Sequence, residues 1–191
     1  MKYIPNLISI MRGLSAFLIC YFLSLDSYNS QWFAMILFII SIFSDYADGY
    51  IARKFDAVSA LGKVLDATID KVFFFILISY FIISGIFSLY LMSLLLIIHV
   101  LRDVIVTAIR CNLLSKNIQV NVLSTGQIKT VLQFLFLLCG MAISILTFYQ
   151  YNSDIPLIKG ITLIGYFIYA VSIILSVQSG YSYWKFYFRY K

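Results

Sequence analysis

Charge is scarce in this sequence. Of 191 residues only 12% are charged, and every acidic side chain is an aspartate. A soluble domain carries about 25% charged residues, so the shortage excludes an ordinary water-facing surface. Histidine occurs once and cysteine three times, at Cys20, Cys111 and Cys139, with no C-x-x-C spacing. That set argues against a zinc site, and the cysteines read as small buried hydrophobes. The two prolines, Pro5 and Pro156, both stand beside the start of an apolar run, where a missing N–H is tolerated. The net charge is +6, but no basic face exists outside short connections. That excludes a nucleic-acid footprint and points to anionic lipid.

What is abundant is apolar. The chain is 62% hydrophobic, with a mean hydropathy of +0.96. A helix crosses a bilayer with about 20 apolar residues, so the length suits six spans in one domain and little else. Short polar breaks predict helices over about 5–25, 31–53, 60–83, 88–112, 127–149 and 158–183. The runs are continuous and too long for the alternating strands of a barrel. The expected fold is an all-α integral-membrane bundle of six transmembrane helices. Arg12 interrupts the first run and no small-residue cleavage pattern follows, so the first helix is expected to stay uncleaved. Lys2, Arg53, Lys54, Lys63, Lys116, Lys129, Lys185, Arg189 and Lys191 gather at one set of helix ends, against Lys159 alone at the other. Basic residues mark the cytoplasmic side, so both termini are expected there.

Four of the aspartates then become conspicuous. Asp45, Asp48, Asp66 and Asp70 fall within residues 45–70. An aspartate in a spanning helix is disfavoured by roughly 2.5–3.5 kcal/mol on insertion scales. Asp45, Asp48 and Ala52 are spaced i, i+3, i+7, with Gly49 at i+4, so they share one helix face. Gly62, Asp66 and Asp70 follow at i, i+4, i+8 and form a second stripe. A short turn between antiparallel helices brings the stripes together, with glycines where a ligand or backbone can approach closely. Four carboxylates at close quarters need compensation. All-oxygen ligands favour Mg²⁺ or Mn²⁺, and four of them suit two cations acting on a pyrophosphate. Arg53 at the helix end suits a phosphate oxygen. The spacing leaves two other readings open: a cation or proton pathway in a small carrier, and plain structural pairing.

The window reads D-x2-D-G-x2-A-R-x8-G-x3-D-x3-D, from Asp45 through Asp48, Gly49, Ala52, Arg53, Gly62 and Asp66 to Asp70. This resembles the signature of the CDP-alcohol phosphatidyltransferase family, with every fixed position filled. The resemblance implies a six-helix membrane enzyme, usually a homodimer, that moves a phosphatidyl group from CDP-diacylglycerol to an alcohol and releases CMP. It also implies metal-ligand roles for Asp45, Asp48 and Asp66. Asp70 would be both ligand and general base, and Gly49, Ala52, Arg53 and Gly62 would shape the CDP pocket.

The acceptor must be read elsewhere. Residues 4–12, with Ile4, Pro5, Asn6, Ser9 and Arg12, resemble the I-P-N-x-x-T-x-x-R opening of the phosphatidylglycerophosphate synthase branch of that family. Arg102, Asp103, Thr107 and Arg110 are similar to its R-E-x-x-V-T-x-x-R stretch. Gly126, Gln127, Lys129, Thr130 and Gln133 are similar to its G-K-x-K-T-x-x-Q stretch. Arg102 and Arg110 stand at i and i+8 on one helix, and Lys129 opens the next. Two arginines and a lysine beside the carboxylates suit a phosphate monoester such as sn-glycerol 3-phosphate; interfacial snorkelling is the alternative for Arg110 and Lys129. Asp103 stands where that branch has Glu, Ala67 where a proline is common, and Gln127 where a lysine is usual. Arg-Asp is more like cardiolipin synthases, whose acceptor is phosphatidylglycerol. His99 reads as a hydrogen-bonding partner between helices.

Overall fold

The computed structural model describes residues 4–25, 27–54, 60–115, 124–150 and 156–189. Six helices follow one another: α1 Ile4–Ser24, α2 Tyr28–Lys54, α3 Ala60–Ile83, α4 Leu89–Ser115, α5 Ser124–Gln150 and α6 Pro156–Arg189. Among the described residues there is no strand. Helices α1 and α3 fall within a residue of expectation. Helix α6 runs to Arg189, past the end of its hydrophobic stretch, because the aromatic and basic tail continues the helix. At 34 residues it is roughly 50 Å long at 1.5 Å per residue, more than the ~30 Å hydrocarbon core.

The burial pattern is that of a membrane protein. On α4, Leu101 is 58% and Val104 61% exposed, while His99 and Asp103 are 1% and 4% exposed. Apolar side chains face outward and polar ones inward, the arrangement that lipid imposes. Among the described residues, three stretches are long and apolar enough to cross: Leu89–Ile109, Ile128–Phe148 and Pro156–Phe188. The described side chains of α1 and α2 add the apolar stretches Ser9–Ser24 and Tyr28–Ser44. Six helices stand where six crossings were expected; in α3, Asp70 and Lys71 interrupt the apolar run.

The helices group in threes. Helix α1 packs against both α2 and α3, and α6 against both α4 and α5. The triplets meet where α5 touches α2 and α3, and α4 touches α3. Buried aromatic rings fill that seam. Phe38 of α2, stacked on Phe73 of α3 at 6.1 Å, lies 6.4 Å from Phe134 of α5, and Phe74 of α3 lies 6.1 Å from Tyr169 of α6. A tight turn after α3 links the triplets. Gly85 takes a left-handed φ of 78°, which only glycine adopts without strain. Ser88 then gives its backbone N–H to the Tyr166 hydroxyl on α6.

A candidate active site at one end of the bundle

The Phe38–Phe73 stack sets the register of the two carboxylate-bearing helices. Asp45 lies seven residues beyond Phe38, and Asp66 lies seven residues before Phe73. The short connection between α2 and α3 suits antiparallel neighbours, and in that arrangement seven residues advance each by about 10 Å in the same direction. The backbone would then carry Asp45 and Asp66 to one level, with Asp48 and Asp70 a turn to either side. The side chains of Asp45, Asp48, Ala52, Arg53 and Asp66 lie outside the described residues, and so do those of Arg110 and the surroundings of Gly49 and Gly62. Among the described residues no three metal-ligating side chains converge.

Asp70 is described, and it has a partner that the sequence did not name. Arg12 of α1 is buried and forms an ion pair with Asp70 Oδ1. Close packing supports the contact, since Gly13 lies against Ile69 and Ser15 hydrogen-bonds Ser41 of α2 at 2.8 Å. Helix α1 thus touches both carboxylate-bearing helices at the level of the site. The next residue on α3 reaches the other triplet. Lys71 donates to the Thr107 hydroxyl at 2.6 Å, and Thr107 donates to the Asp103 carbonyl at 2.7 Å.

Arg102 and Lys129 come together on Asp103. The Asp103 Oδ1 accepts 2.7 Å bonds from Arg102 Nη1 and from Lys129 Nζ. Helix α6 holds the rest of the Arg102 fork. Its Nε donates to the Ser176 carbonyl at 2.7 Å, and Nη2 donates to the Ser179 hydroxyl. Gly180 leaves room for the side chain: a Cβ there would stand 3.2 Å from Arg102 Nε. Gln133 Nε2 lies 2.8 Å from His99 Nε2, and the His99 ring stacks on Tyr169 at 6.0 Å. The role expected for His99, a hydrogen bond between helices, is thus what the structure shows.

Sequence reading missed Arg12 as the partner of Asp70 and missed the contribution of α6 altogether. A signal for the second existed. Ser172, Ser176 and Ser179 recur at i, i+4, i+7 and are all buried, a polar stripe in an otherwise apolar helix.

The sequence model described as CDP-alcohol phosphatidyltransferase matches residues 2–178. This chain belongs to that family. Membership makes it a membrane phosphatidyltransferase. Among its relatives, a CDP-diacylglycerol–glycerol-3-phosphate 3-phosphatidyltransferase of Rickettsia bellii is 28% identical over 95% of this chain and 93% of its own. A protein of the same description from Aquifex aeolicus is 40% identical over 40% of this chain and 42% of its own. A cardiolipin synthase (CMP-forming)/mitochondrial hydrolase fusion protein of Schizosaccharomyces pombe is 47% identical over 36% of this chain and 11% of its own.

Proposed function

We infer that this chain transfers the phosphatidyl group of CDP-diacylglycerol to sn-glycerol 3-phosphate, giving phosphatidylglycerophosphate and CMP. The observation that carries the acceptor is the shared carboxylate: the cations of Arg102 and Lys129 both rest on Asp103. A buried group with surplus positive charge is disfavoured until an anion completes it, and a phosphate monoester does so. Arg102 has five N–H donors and Lys129 three. Three and one of these are used among the described residues, which leaves donors for phosphate oxygens. The printed functions of the Rickettsia and Aquifex relatives support the same acceptor.

Asp45, Asp48, Asp66 and Asp70 would hold two divalent cations, Mg²⁺ or Mn²⁺. The donor set fits, being all-oxygen and hard, and the antiparallel register supports it. When bound, such cations neutralise the pyrophosphate and the charge that develops on the departing CMP. The chain's own residues do the rest. Gly49, Ala52, Arg53 and Gly62 shape the CDP pocket, a role supported by the family signature. Arg102, Arg110 and Lys129 bind the acceptor phosphate and direct its hydroxyl toward Asp70. The Lys71–Thr107 bond ties α3 to α4 one turn from Asp103, which keeps base and acceptor cations at a fixed separation. Asp70 takes the hydroxyl proton, the freed oxygen attacks the lipid-linked phosphorus, and the bond to CMP breaks.

The decisive experiment supplies purified protein with CDP-diacylglycerol, divalent metal and a panel of alcohols, and identifies the lipid product by mass. Phosphatidylglycerophosphate is expected, and Asp66→Asn should abolish its formation; a variant with full rates would defeat the mechanism. A lipid acceptor is the second reading, favoured by Asp103 in place of Glu and by the Schizosaccharomyces relative. Lys129→Ala separates the two. It should raise the KM for glycerol 3-phosphate at least about tenfold, whereas an enzyme with phosphatidylglycerol as acceptor should barely respond. The distribution of Lys and Arg supports a cytoplasmic active site, and the Rickettsia and Aquifex relatives support a bacterial plasma membrane. Family resemblance supports a homodimer.

A further inference from the structure

Asp103 is a carboxylate in the middle of a site that has to attract an anion. It is buried, it lies outside the carboxylate signature, and it faces the two cations assigned to the acceptor. Two explanations of such a residue differ in sign. As a counter-ion it would neutralise Arg102 and Lys129 and compete with the incoming phosphate. As a spacer it would keep the two cations together until phosphate arrives.

The geometry favours the spacer. Both cations converge on one atom: Arg102 Nη1 and Lys129 Nζ each lie 2.7 Å from Oδ1. Two nitrogens within bonding distance of one oxygen stand close enough for the oxygens of a single phosphate group to meet both. They come from different helices, α4 and α5, and carry like charges. Without the carboxylate nothing among the described residues bridges them, and their repulsion would part them. The Asp103 side chain is itself walled in. Its other oxygen, Oδ2, faces His99 Nε2 at 3.8 Å, beyond hydrogen-bond length. The imidazole is committed to Gln133 at 2.8 Å and fixed by the stack on Tyr169. One turn along α4, it blocks the room into which the carboxylate would otherwise swing.

We propose that Asp103 is a positioning residue for the acceptor: by sharing one oxygen between Arg102 and Lys129 it holds the two cations at the spacing of one phosphate group, with His99 and Gln133 fixing its own place. The proposal rests on the reading that glycerol 3-phosphate is the acceptor bound by those cations.

The test is steady-state kinetics of the purified full chain in lipid nanodiscs, with glycerol 3-phosphate and CDP-diacylglycerol varied separately. Asp103→Asn keeps the shape and removes the charge. It should raise the KM for glycerol 3-phosphate about tenfold or more, leaving the KM for CDP-diacylglycerol unchanged. Asp103→Glu, which restores the charge, should recover most of that loss. Gln133→Met leaves Asp103 in place and removes the amide, so it should move the same KM in the same direction by about threefold. It carries the test if Asp103→Asn does not fold. A KM that falls or stays level in Asp103→Asn, or in Gln133→Met when that variant alone is stable, overturns the proposal. These failures are distinct from failure of the acceptor reading, in which wild-type enzyme makes no phosphatidylglycerophosphate at all and both conclusions go.

Discussion

Arg12 and Asp70 make the sharpest statement at the scale of single residues. A buried guanidinium needs a partner, and one that it has is the carboxylate assigned to proton abstraction. Arg12→Met keeps the length of the side chain and removes the charge and donors. It should lower kcat by about ten- to a hundredfold, because a misplacement near 1 Å costs that much, while leaving the KM for glycerol 3-phosphate near the wild-type value. Single-turnover measurements at saturating acceptor would check this, and an unchanged kcat would remove Arg12 from the site. Asp70, Arg102 and Lys129 were legible in the sequence because a charge inside an apolar run must be compensated. Which group compensates it was not legible. That Asp70 pairs with Arg12, and Asp103 with Arg102 and Lys129, depends on how far each helix is rotated about its axis, and single spacings do not set that rotation.

Among the elements, α3 and α5 depend on each other through a missing side chain. A Cβ on Gly140 of α5 would stand 2.6 Å from the Phe81 ring of α3, and that ring is fully buried. Gly140→Ala is therefore expected to destabilise the bundle by about 1–3 kcal/mol, measured as a lower midpoint of thermal unfolding in detergent. The activity of the protein that remains folded should stay near wild type, since the contact is remote from the carboxylates. Helix existence was legible from runs of apolar residues punctuated by polar breaks. Helix faces were harder. The serine stripe of α6 is visible in the sequence, but which residue it serves is not: Ser176, Ser179 and Gly180 seat Arg102. The C-terminal end of α6 was misjudged for another reason: hydrophobicity stops near 183, but helix formation does not.

For the molecule as a whole, the uneven distribution of Lys and Arg makes a claim about sidedness. Ser88, exposed in the turn between α3 and α4, belongs to the end opposite the carboxylates. In a background without Cys20, Cys111 and Cys139, Ser88→Cys should react with an impermeant maleimide added to intact cells; protection until the cells are opened would reverse the assigned orientation. The same turn separates two kinds of work. The signature aspartates and Arg12 precede it, and the cations assigned to the acceptor follow it. Each triplet of helices is packed chiefly within itself and joined covalently to the other only there. On the proposed assignment, the two substrates answer to different stretches of the gene. Exchange of the latter stretch is expected to change the alcohol used, while the residues proposed to act on the nucleotide-linked lipid stay as they are.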